Sequence, residues 1–242
     1  MNDTVKLIGI CGPARAGKDT FARNIAGAVM ESNNPDYQDW VIAMESFASP
    51  IKSMVAMLLD FSGYCDIMNP STVAPFLDGD RKEEVLDRIG KSPRELMQTL
   101  GTDWGRKMID DDIWLNNLKN RITQYGEVAK HGHQGAFVLV TDVRFDNEAE
   151  MIKHAGGTIV KITTDRETDD VVSHESEGGV SDCLIDTVIE NNGELEEFEL
   201  QATSYINGYL GVTLYDMSEV QEVIHIPTEE DVDEAHRPSS ST

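Results

Sequence analysis

The chain has 242 residues, with 44 acidic against 20 basic side chains and a net charge of −24. That length suits one substantial α/β domain with a small insertion, and so negative a field repels nucleic acid and anionic membrane surfaces. No run approaches the ~18 apolar residues of a transmembrane helix. Cys11, Cys65 and Cys183 are dispersed and form no Cys-x-x-Cys pair, which fits a reducing cytoplasm and argues against a disulfide framework or zinc site. The short N-terminal apolar run lacks the flanks of a signal peptide.

Residues 5–11 are apolar and β-prone and read as a buried strand. Gly12-Pro-Ala-Arg-Ala-Gly-Lys18 follows, and Phe21, Ile25, Ala28 and Val29 then recur at helical spacing. Strand, glycine loop and helix together make a phosphate-binding loop. The backbone N–H groups of Gly12, Ala14, Arg15, Ala16 and Gly17 and the helix N-terminus hold a polyphosphate, and Lys18 reaches its β- and γ-phosphates. The next residue should be a Mg²⁺-ligating Ser or Thr, but here Asp19 precedes Thr20. Either Thr20 supplies the hydroxyl one place later, or Asp19 holds the ion as a hard oxygen ligand.

Residues 40–44 read as a second strand. Ser49 then caps a helix that starts at Pro50 and runs to residue 59. Residues 61–80 carry Gly63, Asn69-Pro70, Pro75 and Asp78-Gly79 without periodicity and read as a loop or lid. A helix is expected over 81–89. Ser92-Pro-Arg-Glu95 is a capping box with proline at the first helical position, opening a helix that carries Leu96, Met97 and Leu100. Another helix spans 112–125.

The apolar run 136–141 is the second informative strand, and it ends in Asp142. A carboxylate there lies across from the loop lysine and orients Mg²⁺, or it caps the next helix; the two roles are compatible. Arg144 points the same way along the extended segment and faces the phosphates, or else pairs with Asp146 or Glu148. A helix at 148–154 ends at Gly156-Gly157. Strands at 158–163 and 186–190 follow, the second turning at Asn192-Gly193 into a helix over 194–209. Strands alternating with helices imply an α/β fold, a parallel sheet with helices on both faces. The pattern fades after 211, and an acidic, disordered tail is expected over 212–242.

Arg15, Lys52, Arg81, Arg94, Arg106 and Arg166 lie in or beside loops. Each alone is an ordinary surface charge. Together, in so acidic a chain, they suggest a pocket for several phosphate groups, which the guanidinium fork binds bidentately. Transfer between phosphates asks for alignment, Mg²⁺ and positive charge, with no strong general base.

With these residues assembled, the chain resembles the deoxynucleoside monophosphate kinases of tailed bacteriophages. The matching blocks are Gly12–Thr20 with its unusual Asp19, Ser49-Pro-Ile-Lys52, Asp80-Arg81, the run Arg94-Glu-Leu-Met-Gln-Thr-Leu-Gly-Thr-Asp103 followed by Trp114, Asp142-Val-Arg144, Gly156-Gly157 and Val188-Ile-Glu-Asn-Asn-Gly193. The resemblance implies a P-loop kinase fold over residues 1–211, with a mostly helical acceptor-binding and lid insertion at about 48–126. It further implies ATP-Mg²⁺ as donor, a deoxynucleoside monophosphate as acceptor, and a homodimer in the cytoplasm of a bacterial host. Carried over by position, Lys52, Arg81 and Arg94 hold the acceptor phosphate, while Gln98, Gly101, Thr102 and Trp114 contact base and sugar. Trp114 otherwise reads as a core aromatic. Arg15 and Arg144 neutralise charge between the two nucleotides, Arg166 joins the donor side, and Asp19, Thr20 and Asp142 are the metal candidates. Rival readings are a kinase of dephospho-coenzyme A or phosphomevalonate type, disfavoured by the Leu96–Asp103 run, and a silent nucleotide-binding regulator, disfavoured by the arginine set.

Overall fold

A computed structural model describes residues 5–32, 34–165 and 179–211. Five parallel strands, β1 (Val5–Cys11), β2 (Trp40–Glu45), β3 (Gly135–Val143), β4 (Thr158–Thr163) and β5 (Thr187–Glu190), lie in the order β2-β3-β1-β4-β5. The near-continuous apolar strands are explained by burial on both faces. On β1, Ile8 and Ile10 point to one side with Phe21, Ile25 and Val29 of α1 (Lys18–Met30) and Phe198, Ala202 and Ile206 of the C-terminal helix Leu195–Leu210. Leu7 and Cys11 point to the other, with Leu118 and Ile122 of the helix Ile113–Lys130 and Ile152 of the helix Asp146–His154. All five expected strands are present, and the parallel α/β architecture is as the alternating pattern implied.

The stretch between β2 and β3 is helical but differs from expectation in detail. Helix α2 (Ser49–Phe61) begins at Ser49 itself, and the preceding Ala48 is the cap residue. Ser49 gives up the capping role because the Asp142 carboxylate, reaching from β3, accepts the N–H groups of Phe47 and Ala48. The expected loop over 61–80 contains α3 (Pro70–Leu77), whose Asn69 cap accepts the Ser71 N–H and whose Pro70 sits in the first turn. Asn-Pro thus marks a helix start, not only a turn.

The expected helix over 81–89 is absent. Leu86 instead bridges to Lys91 in antiparallel fashion, and the Tyr64 hydroxyl accepts the Arg88 N–H while donating to Asp87. These tertiary bonds outcompete a helix in this segment, which buries Leu86 while leaving Val85 exposed.

The Ser92 capping box is formed in full and opens α4 (Pro93–Gln98). The chain then widens into π-helical turns over Thr99–Ile109 before α5 (Ile113–Lys130), which runs five residues past its expected end at 125. Val55, Leu59, Phe76, Leu77 and Leu86 give this region a small core of its own. The remaining helices are α6 (Asp146–His154) and α7 (Leu195–Leu210). Residues 166–178 and the tail 212–242, with Arg166 and the expected tail disorder, lie outside the described residues.

The loop after β1 is constrained by its neighbour β4. Gly12 has φ +138°, and a Cβ on it would lie 2.2 Å from the Ile162 carbonyl oxygen. Gly12→Ala should therefore cost about 2–4 kcal/mol. Gly27→Ala, in open space on α1, should gain a few tenths to about 1 kcal/mol. Urea denaturation of both variants checks the contrast.

Candidate active site

The glycine loop closes over the carboxyl end of β1. Arg15 is the one described non-glycine residue at positive φ (59°), and Gly17 follows at φ 97° as the cap residue of α1. Asn191, at the end of β5, is buried and donates its side-chain amide to the Ala16 carbonyl at 2.9 Å. Its Nδ2 lies 2.6 Å from where a Gly17 Cβ would be, so the amide fits only against glycine. Lys18 Nζ donates to the carbonyls of Gly12 and Pro13 at 2.9 and 2.7 Å, arching across its own loop. Burial and the neighbouring Arg144 guanidinium lower the Lys18 pKa, while Asp19 and Asp142 oppose the shift. Lysine, both aspartates and Arg144 thus share one electrostatic neighbourhood. Arg15 and Asp19 are exposed and Thr20 half-buried.

Next to this loop opens a cleft. Of the predicted residues it gathers Lys52 from α2, Arg94 and Gln98 from α4, Gly101 and Thr102 from the π-helical turns, Trp114 from α5, and Asp142 and Arg144 from the end of β3. Asp142 Oδ1 and Oδ2 accept from Phe47 N (2.8 Å) and Ala48 N (3.0 Å). Burial raises its pKa against those two bonds and the nearby Arg144 and Lys52 charges. Lys52 pairs with Asp78 at 2.6 Å, and Arg94 with Glu83 at 2.9 Å. Trp114 is a wall and not a free platform. It is 5% exposed, and its Nε1 donates to the Gly101 carbonyl at 2.8 Å.

Arg81 is not brought to the cleft. Its guanidinium makes two bonds to Glu84 and lies over the Phe76 ring. The adjacent Lys82 lines the cleft instead.

Arg106, one of the cations expected to build a phosphate pocket, also lines the cleft, and it forms a pair with Glu148 that the sequence did not reveal. Arg106 donates to Glu148 Oε1 at 2.7 Å and stacks on Phe145, while Glu148 Oε2 accepts the N–H groups of Arg144 (2.8 Å) and Phe145 (3.2 Å). Glu148 had been a candidate partner for the Arg144 side chain; it binds the Arg144 backbone. Its place three residues after Phe145, at the start of α6, was the available signal. Burial, with the Asp142 charge adding to it, pushes Glu148 up to about 7, against the pull of the Arg144 and Phe145 N–H groups and the Arg106 guanidinium.

Asp19, Thr20 and Asp142 carry the hard oxygen donors a Mg²⁺–polyphosphate would accept, and both aspartates lie near enough to Lys18 to raise its pKa against the lowering by burial. Among the described residues no three His, Cys, Asp or Glu side chains cluster as a self-sufficient metal site. No described helix is long and apolar enough to cross a membrane.

A family model described as deoxynucleotide monophosphate kinase matches residues 77–202. The chain is 29% identical over 209 residues to the "Putative deoxynucleotide monophosphate kinase" of Acanthamoeba polyphaga mimivirus, covering 83% of this chain and 96% of that one. It is 26% identical over 190 residues to the deoxynucleoside-5′-monophosphate kinase of Escherichia phage T5, covering 61% and 71% respectively. A dephospho-CoA kinase structure from Campylobacter jejuni aligns with a TM-score of 0.40 at 14% identity over 85% of this chain and 96% of that one.

Because Glu148 is raised in the folded protein, its contribution to stability is fully present below the ordinary carboxylate range. That contribution is lost as pH rises through about 7. Between pH 4.5 and 8 the wild type should therefore lose roughly 3 kcal/mol relative to Glu148→Gln. Denaturant unfolding of both proteins across that range checks the slope.

Proposed function

The chain belongs to the deoxynucleotide monophosphate kinase family, and from that premise we propose that it moves the γ-phosphoryl of ATP onto a deoxynucleoside 5′-monophosphate. An acceptor phosphate oxygen attacks the γ-phosphorus, the bond to the bridging oxygen breaks, and ADP and a deoxynucleoside diphosphate leave. The product would serve viral DNA synthesis. One observation carries this reading: a phosphate loop with its lysine adjoins a cleft lined by Lys52, Lys82, Arg94 and Arg144. Two phosphate-bearing ligands can then meet at the Asp142–Arg144 corner.

In this reading the loop main chain from Gly12 to Gly17 and Lys18 hold the donor phosphates, with Asp19, Thr20 and Asp142 as the metal donors. Mg²⁺, when bound, would neutralise the β- and γ-phosphate oxygens. Arg15 and Arg144 reduce repulsion between two anions brought into line. Lys52 and Arg94 trade their carboxylate partners for the acceptor phosphate. Gln98, Gly101 and Thr102 border the base and sugar, with Trp114 stiffening that wall. No general base is needed, because a phosphate monoester is already an anion at neutral pH.

Residues 1–211 form the kinase domain, with the acceptor-binding and lid part at about 48–126 and the tail 212–242 beyond it. On the family resemblance the enzyme acts as a homodimer in the host cytoplasm.

Lys18→Ala should lower turnover by at least ~100-fold, the scale of losing a charge that acts on the moving group, while its far-UV circular dichroism and unfolding midpoint stay near wild type. A coupled ADP-release assay across the four deoxynucleoside monophosphates measures this. A variant with near-normal turnover would remove Lys18 from the mechanism, and a wild type inactive on all four would overturn the function itself.

A further inference from the structure

Three cations that the sequence directs at the acceptor each carry a carboxylate: Lys52 with Asp78, Arg81 with Glu84 and Arg94 with Glu83. Lys82 differs. It is half-buried and lines the cleft, and among the described residues no carboxylate stands within ion-pair distance of its Nζ. Asp78 acts on it electrostatically, but that carboxylate is bound to Lys52 at 2.6 Å. Its other charged neighbours are Lys52, Arg94 and Arg144, all cations, and with burial they lower its pKa. Its main chain is fixed: the Lys82 N–H donates to the Gly79 carbonyl, and its carbonyl accepts the Arg94 N–H at 3.0 Å. A half-buried ammonium facing three cations is costly unless an anion completes the site. In a chain with 44 acidic residues, a counter-ion for it would be easy to supply within the protein.

We propose that Lys82, and not the neighbouring Arg81, is the residue of this segment that binds the acceptor phosphate, between Lys52 and Arg94 on one side and Arg144 on the other. A phosphate monoester there would be the shared counter-ion of the group. Arg81 instead anchors the segment, through Glu84 and the Phe76 ring. The assignment rests on the proposed kinase function and adds a residue to its acceptor half.

The test uses the full chain carrying Lys82→Met, Lys82→Arg or, as a matched loss of one charge on exposed α5, Lys119→Met. The probe is whichever standard deoxynucleoside monophosphate the wild type turns over best, with its unphosphorylated deoxynucleoside as comparison. For Lys82→Met, the acceptor KM should rise 10- to 100-fold while the ATP KM stays within twofold. Calorimetric affinity for the monophosphate should fall, and that for the deoxynucleoside should hold. Lys82→Arg should recover most of the loss, and Lys119→Met should match wild type. An unchanged acceptor KM in Lys82→Met, equal losses for both substrates, or equal losses for monophosphate and deoxynucleoside would each overturn the assignment while leaving the kinase function standing. A wild type that binds and phosphorylates none of the four monophosphates would overturn the function, and this assignment with it.

Discussion

The Asp142 carboxylate, at the end of β3, accepts the N–H groups of Phe47 and Ala48 in the connection between β2 and α2, and through those two bonds it joins the two halves of the site. Charge-assisted bonds of this kind contribute about 1.5–3 kcal/mol each. Here they do more than stabilise. They fix where α2 begins, and so where Lys52 enters the cleft one turn later. They also hold the end of β3 still, so that Arg144 emerges between the loop lysine and the cleft. Arg121 on α5 reinforces the same connection by donating to the Ser46 carbonyl at 2.7 Å. The geometry of transfer is thus set by backbone groups clamped from outside the substrate positions, which is how a site keeps its alignment without help from ligand.

Charge imposes the second constraint. A cleft with five cations would repel itself in any protein, and this one resolves the conflict with neighbouring acids: Asp78 and Glu83 are bound to Lys52 and Arg94. Exposed pairs of this kind are weak, about 0–1 kcal/mol, so under the proposed function a phosphate would displace them at little cost. Glu148 plays a different part. Almost fully buried, it holds Arg106 and the N–H groups of Arg144 and Phe145 together, and no ligand could take its place without opening the wall. Under the proposed function the acids paired with Lys52 and Arg94 are exchangeable, and Glu148 is not.

Which features were legible in the sequence follows from their range in space. The strands, the glycine loop and the Ser92 capping box are specified by neighbours within a few residues, and the structure bears them out. The segment from 61 to 91 is decided by distant partners: Tyr64 takes the Arg88 N–H and Phe76 takes the face of Arg81. Local pattern therefore misjudged its helix, and Arg81, carried over by resemblance, stands outside the cleft that the adjacent Lys82 lines. The residues leading into α2 are held by a carboxylate 95 and 94 positions away from Phe47 and Ala48, and no local signal shows such a bond. Trp114 could be read either as a core residue or as a platform, and burial together with the Gly101 bond puts it in the wall.

The two halves of the site differ in what they are made of, and this bears on how each can change. Under the proposed function the donor loop is main chain, wedged at Gly12 and Gly17 against the Ile162 carbonyl and the Asn191 amide, so substitution at either glycine disturbs the fold before it alters selectivity. The side assigned to the acceptor in that proposal is made of side chains on helices with a separate small core. Gln98 and Thr102 border the cleft from α4 and the π-helical turns, whose wider winding departs from the regular α-helical ladder. Under the proposed function, a change of accepted base needs new hydrogen-bonding groups only at such positions. The discrimination available there is large wherever a buried polar group would be left unpaired by the wrong base. The phosphate cations, Asp142 and the loop can then remain fixed while the base preference moves.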